Sequence, residues 1–379
     1  MHRLRHLMNP KTGLITPAGV VVALLLVSCL SSPTPVNAQN PPYPPSQLIA
    51  GVEFDWSTHV RLAPGSDNWA ITWADDDHQY TTWGDGGGFG GTNSDGRVSL
   101  GFGRVEGPRD NYTGHNVWGG RETENRAAFG GKSYGILSVA GTLYAWRCGD
   151  ASTTTAYNFQ ELYRSTDHGA SWVLTDARFD QSSFPGDDRG FFCPTFLQFG
   201  QDYAGARDEY VYMYAPEIKT ASWQVHKPGE ITLIRVPLGS LGDPAQHEFF
   251  TGLDGDGSPA WTTGRADREP VFADPQNGVM MVSVSYNAGL GRYFLITQHS
   301  SDARGNIGIY EAPEPWGPWA TVLFQKQFGS PAIDPNTFFW NFSNKWLSSD
   351  GKSFVLVFTG VKTSDGWHSV EGSFQLSAP

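Results

Sequence analysis

From about residue 69 onward the chain is a succession of short β-branched and aromatic runs, each cut off by Gly, Asp or Pro. Such runs, at strand length and with turn residues between them, point to an all-β chain with many hairpins. They fall into five groups. The first holds residues 69–83 and 98–105, and the second 135–147, 161–165 and 171–179. The third holds 195–199, 209–214, 231–236 and 247–251. The fourth holds 270–272, 279–286, 292–298, 308–312 and 319–324, and the last 338–347, 353–360 and 369–376. Five groups of short strands in one unbroken stretch of some 330 residues exceed a usual sandwich and predict a five-bladed β-propeller. No Ala/Glu/Lys/Leu-rich stretch of coiled-coil or helical-repeat type interrupts them. Aromatics at 13% exclude a disordered chain, because they supply enough apolar surface to offset the ordering entropy.

One turn has its own signature. Ser165-Thr-Asp167-His-Gly169-Ala-Ser171-Trp172 follows the S-x-D-x-G-x-[ST]-W pattern of an Asp-box, with a looser relative at Ser348–Phe354. In that pattern the Asp binds backbone amides of the hairpin, the Gly supplies a positive φ and the Trp packs under the turn. Asp167 and Trp172 are accordingly read as structural.

The N-terminus reads as an address. Arg3, Arg5 and Lys11 lead into Gly19–Val27, an apolar run too short to span a membrane. Two endings compete: Leu26-Val-Ser-Cys29 resembles a lipobox, and Val36-Asn-Ala38 an ordinary cleavage site. The expected organisation is residues 1–38 as signal peptide (or a lipoprotein signal ending before Cys29), 39–50 as a Pro-rich linker, and 51–379 as a single propeller domain. The protein is thus expected to be exported: secreted, periplasmic, or anchored to a membrane only through a lipid at Cys29. The three basic residues are the only charges among the first forty, so their removal takes the net charge from −12 to −15. A body that acidic repels phosphate backbones, so nucleic acid is not an expected partner. In an exported protein Cys148 and Cys193 can pair; the alternative is two small buried hydrophobes, and their spacing does not choose.

The densest acidic region lies between Ser66 and Gly91. Asp75–Asp77 fall where a hairpin should turn and read as a solvated turn. Asp67 and Asp85 lie just before the first strand and just after the second, ends that a meander brings back to one sheet edge. Both carboxylates would then face one rim, beside the Gly84–Gly91 loop, whose glycines allow close approach of a ligand. Two carboxylates across a cleft are what glycoside hydrolysis uses, one donating a proton and the other acting as nucleophile or base. The plainer alternative is a turn cap at Asp67 and a loop anchor at Asp85.

Several segments carry a family resemblance: Ser66–Trp69, Thr72–Asp75, Trp83–Gly86, Cys193–Phe196, Tyr203–Asp208, Tyr286–Leu290 and Ala312–Trp319. They resemble a bacterial domain-of-unknown-function family allied to five-bladed propeller glycosidases, some relatives being endo-D-arabinanases. The resemblance implies that an early Asp and the Asp of a Gly-Asp-Thr-type turn are the reacting acids. Asp67 and Asp85 match those positions, although Gly86 and Gly87 follow Asp85 where those relatives carry Thr.

Further candidates are substrate-binding. Lys132 would supply a cation, Trp69 a face for a sugar ring, Asn287 hydrogen bonds to hydroxyls, and Glu217 and Glu311 additional carboxylates. Each has a plain alternative: surface lysine, core tryptophan, turn asparagine, exposed strand acids. The ten histidines form no metal-ligating pattern, and neither a metal nor an organic cofactor is expected. The leading expectation is an exported glycoside hydrolase acting on a polysaccharide or oligosaccharide as a monomer. A polysaccharide lyase drawing on His115, Tyr134, Lys132 and Arg207, or a glycan-binding lipoprotein without catalysis, are the alternatives.

Overall fold

A computed structural model describes residues 40–125, 129–149, 157, 159–180, 189–361 and 364–378; the expected leader, 1–38, lies outside them. Among the described residues there is no α-helix, only β-strands and short 3-10 turns. The strands form antiparallel meanders arranged in the manner of a propeller. The first runs Ile71–Trp73, Gln79–Gly86, Val98–Glu106 and Thr113–Trp118; the second Lys132–Val139, Thr142–Cys148, Phe159–Ser165 and Val173–Asp180. The third contains Thr195–Gln198, Tyr210–Ile218, Glu230–Pro237 and Glu248–Leu253, and the fourth Met280–Asn287, Arg292–Gln298, Ile307–Ala312 and Ala320–Gln325. Their innermost strands pair in parallel at Leu197↔Val284 and Gln198↔Ser285, which joins the two meanders into one sheet.

The last meander, Thr337–Phe342, Ser353–Gly360 and Trp367–Leu376, is completed from the other end of the domain by Ile49–Leu62. That 14-residue strand alternates apolar with polar side chains and has one face toward solvent. Tying the first strand to the last meander closes the ring and covers the outer edge of Trp367–Leu376. The residues before it are seated too: Pro45 bridges Thr321, Thr321 donates to Tyr43 O at 2.8 Å, and Tyr43 packs on Phe272 and Tyr310. One strand changes place relative to the sequence grouping. Pro270–Ala273 pairs with Glu230–Pro237 and so belongs to the third meander, because the intervening hairpin returns it to that edge.

Innermost strands from all five meanders converge on a packed axis. Ile71, Ile136, Phe196, Val284 and Phe342 surround a residual cavity of only about 10 Å³, room for no more than a water. Polar links pass between neighbouring strands there: Thr72 donates to Gln198 Oε1 at 2.8 Å and accepts from Ser138 N at 3.0 Å. These strands run the same way, so their starting ends form one mouth of the ring and their finishing ends the other.

At the Ser165–Trp172 turn, Asp167 accepts from Ser165 Oγ (2.7 Å), Ser171 N (2.8 Å) and Ser171 Oγ (2.6 Å), and Gly169 has φ 87°. Trp172 stacks on Phe102 of the first meander at 4.2 Å. Cys148 and Cys193 are joined in a disulfide, Cα–Cα 5.7 Å, across a separation of 45 residues. Loop-closure entropy for a span of that length gives at most about 4 kcal/mol. Cys148→Ser/Cys193→Ser is expected to lower the urea midpoint accordingly, and reduction should do the same to the native protein. Coinciding melts with and without reductant would contradict this.

Candidate functional site

The approach to the first inner strand and the end of the strand beside it are locked together by backbone. Asp67 N donates to Gly84 O at 2.8 Å and Gly84 N to Asp67 O at 2.6 Å. Asp67 therefore lies alongside Gly84–Asp85, at the mouth formed by the starting ends. Asp85 has a left-handed backbone, φ 53°, a region Asp tolerates better than most residues. Lys132, the first residue of the second inner strand, is 4% exposed and sends Nζ to within 2.6 Å of Asp85 Oδ1. Arg97 reaches the same oxygen at 3.3 Å. Asn68 Nδ2 donates to Asp67 Oδ1 at 2.7 Å.

Gly84 is where these groups crowd. A methyl group added there would lie 2.7 Å from Asp67 Oδ1 and 2.9 Å from Lys132 Nζ. The absent side chain is what lets a carboxylate and an ammonium flank Asp85's strand end. Burial pushes the Asp67 carboxyl up to about 6; Lys132 opposes the rise, the Asp85 charge adds to it, and Arg97 opposes it more weakly. An edge of Asp67 still meets solvent. The site thus pairs a carboxyl that holds its proton into mildly acidic solution with a carboxylate that is bound to two cations. That is the inequality an acid and a base need.

Two phenols stand behind Asp67. Tyr134 is fully buried and accepts from Trp223 Nε1 at 3.2 Å. Burial raises Tyr134 and Tyr157 well above the ordinary phenol range, with the Asp67 charge contributing to both. Tyr157 and Trp223 were not singled out by the sequence. Trp223 lies in an irregular loop after the third meander's second strand, and no local spacing ties either residue to Asp67. The disulfide adjoins this wall: Cys148 is the cross-strand partner of Lys132.

The other sequence candidates lie elsewhere. Trp69 is 0% exposed and sealed among Trp83 (5.8 Å), Phe89 (5.2 Å) and Trp367 (5.5 Å), so it is core and offers no face to a sugar. Asn287 ends the fourth inner strand, at the opposite mouth. Its amide braces a turn, donating to Gly351 O at 2.8 Å and accepting from Leu290 N at 3.1 Å. Glu311 is buried, accepts from Ser46 Oγ at 2.8 Å and pairs with Arg292 at 3.1 Å. It anchors the N-terminal segment. Glu217 is likewise buried, gripped by Arg268 (3.0 Å), Arg189 (3.1 Å) and Thr232 (2.5 Å). Its oxygens are thereby committed to holding the third meander together. Of the groups a lyase would draw on, Tyr134 and Lys132 share this wall. His115 instead sits on an outer strand near Glu106, and Arg207 is paired with Glu314 and Asp208. Asp75–Asp77 form the expected hairpin turn, with Asp76 accepting from Tyr80 at 2.7 Å and Asp75 from His168 at 2.8 Å.

No curated protein matches the chain. Among solved structures, a Bacteroides ovatus protein, a hydrolase by name only, superimposes with a TM-score of 0.53 at 13% identity, over 83% of this chain and 87% of that one. Weaker overlaps are with a GH43_1 enzyme of Xanthomonas citri and with the Penicillium chrysogenum α-L-arabinanase complexed with arabinobiose. The first has TM-score 0.49, 11% identity, and covers 85% and 93% of the two chains. The second has TM-score 0.45, 13% identity, and covers 83% and 97%. At these identities the first overlap establishes likeness of fold. Residues 130–359 match the family described as Domain of unknown function (DUF4185), a span that takes in Lys132 and Tyr134 and begins after Asp67 and Asp85. Since that match covers well over half of its 379 residues, the chain belongs to the DUF4185 family.

Proposed function

We propose that this protein is an exported glycoside hydrolase, a five-bladed propeller cleaving a polysaccharide of arabinan type at the mouth where Asp67, Asp85 and Lys132 meet. The observation that carries the reading is the unequal surroundings of the two carboxyl groups, Asp67 tucked against Gly84 and Asp85 ion-paired to Lys132 and Arg97. Asp67, raised to about 6 by burial, serves as the general acid that protonates the leaving oxygen. Asp85, ion-paired to Lys132 and Arg97, serves as the carboxylate that activates water or attacks the anomeric carbon. Lys132 holds Asp85 in place and keeps two acids from simply repelling one another. The family resemblance in the segments around Asp67 and Asp85 supports the same pair and the choice of substrate class.

The direct test is incubation of the purified protein with a panel of arabinans, xylans, galactans and uronate polymers, read by reducing ends and by ultraviolet absorbance. New reducing ends without absorbance support hydrolysis. Absorbing, unsaturated products would mean a lyase, and binding without cleavage a glycan-binding protein; either overturns the reading.

Gly84→Ala follows from the crowding at that residue. Its new methyl comes within 3.0 Å of Asp67 Oδ1 and of Nζ and Cδ of the buried Lys132, so stability should fall by about 1–3 kcal/mol without loss of the fold. Displacing Asp67 and Lys132 by part of an ångström should nonetheless lower kcat/KM about tenfold or more. Unchanged kinetics in this variant would separate Gly84 from the reacting centre.

A further inference from the structure

The finishing ends of the inner strands hold a second cavity, at the mouth opposite Asp67. Its volume is about 280 Å³. Trp73 ends the first inner strand, Phe199 follows the third, Tyr286 lies at the end of the fourth, and Asn344 follows the fifth; all four line it. The packed axis, with its cavity of about 10 Å³, separates it from the Asp67 site. None of the side chains lining it carries a charge.

Trp73 is the unusual member. The other thirteen tryptophans each have an aromatic ring against them, whereas Trp73 has none among the described residues. It is partly exposed, and its indole N–H is taken by Asp77 Oδ1 at 3.0 Å. Asp77 is itself held by Lys345, Nζ to Oδ2 3.1 Å. The ring is therefore fixed in orientation by its polar edge while its faces lack an aromatic partner. Tyr286 is also partly exposed and packs on Phe199 at 5.4 Å. Hydroxyl and amide groups complete the rim: Ser349 is exposed, and Asn344 uses Oδ1 to accept from Gly200 N at 3.0 Å while its Nδ2 has no partner.

A rigid aromatic surface bordered by neutral hydroxyls and amides is the chemistry that takes a sugar ring, C–H face on the indole and hydroxyls toward the polar rim. Absence of a cation in the lining disfavours nucleotides and uronates, and the volume, just under the roughly 300–1,000 Å³ of drug-sized ligand sites, suits one ring or two. We infer that this cavity is a second, non-catalytic saccharide site, taking a neutral pyranose or furanose residue stacked on Trp73. It stands apart from the assignment of Asp67 and Asp85, since no residue is shared.

The test is titration of the Asp67→Asn/Asp85→Asn double variant, which removes cleavage, with L-arabinose, D-xylose, D-galactose and their disaccharides, followed by saturation-transfer NMR and calorimetry. At least one sugar should bind, and adding Trp73→Ala should weaken that binding tenfold or more. Ser349→Trp, an exposed change that fills the mouth, should do the same and guards against misfolding of the first. The inference is overturned if no sugar binds, if indole binds while sugars do not, or if bound sugar is indifferent to both substitutions. The last outcome would place the sugar at the Asp67 mouth and leave the hydrolase reading intact.

Discussion

Asp67→Asn is expected to abolish polysaccharide cleavage, lowering kcat/KM by about 10³-fold or more, while making the folded protein more stable at neutral pH. The two effects have one cause. A carboxyl raised from an unfolded value near 3.9 to about 6 binds its proton more tightly in the native state. Below pH 4 both states are protonated and nothing is lost. As pH rises from about 4 to about 6 the unfolded chain ionises first, so native stability falls across that window and stays lowered above it. Two units correspond to about 3 kcal/mol at most. Asn is neutral, nearly isosteric, and keeps an oxygen to accept from Asn68 Nδ2. Urea midpoints of native and variant protein should therefore coincide near pH 4 and separate above pH 6, the variant higher. Asp85→Asn should be equally inactive and shift stability the other way, by about 2 kcal/mol. It strips the buried Lys132 of its ion pair, and the figure stays below that for a fully buried pair because the Asp85 side chain is 34% exposed. Wild-type cleavage by either variant would end the assignment. Inactivity together with a stability change of the wrong sign would mean that Asp67 is held ionised.

What the sequence made legible follows from the range of the interactions involved. Turns are local, so glycines, aspartates and the Asp167 hairpin could be placed from residues a few positions apart. The neighbourhood of Asp67 and Asp85 could also be anticipated, because a two-strand meander folds its own ends together. Ile49–Leu62 lies outside the five strand groups read from the sequence, although all but its first two residues fall within the expected propeller domain. Its alternation of Glu53, Asp55 and Ser57 with Val52, Phe54 and Trp56 is interrupted by the polar run Ser57-Thr-His59, and its partner strand lies some 300 residues away. Trp69 and Asn287 show the converse failure. A tryptophan beside an acid and an asparagine in a turn look like ligands in one dimension, yet the ring of Trp83, Phe89 and Trp367 around the first arises only from packing. The Tyr134–Trp223 contact spans 89 residues and two meanders, and no spacing rule reaches that far.

Lys132 is where the electrostatic argument is most exposed to test. Its ammonium is the strongest influence holding the Asp67 proton affinity down, and it is the closest cation to Asp85. Lys132→Met removes the charge while retaining an unbranched apolar stem in a strand position that is otherwise buried. Without it Asp67 meets the Asp85 charge with only Arg97 to offset it, so its carboxyl should hold a proton to higher pH. If Asp67 is the acid, kcat/KM in the native enzyme should fall as pH rises through about 6. In Lys132→Met that alkaline limb should move up by a unit or more, even as kcat/KM at its optimum drops about 10²-fold through the misplacement of Asp85. Lys132→Arg, keeping the charge with altered geometry, should recover the position of the limb more fully than the rate. A merely structural lysine would lower the rate and leave the limb where it was. A limb that stays near 6 in Lys132→Met would therefore remove Lys132 from the control of Asp67, whatever became of activity.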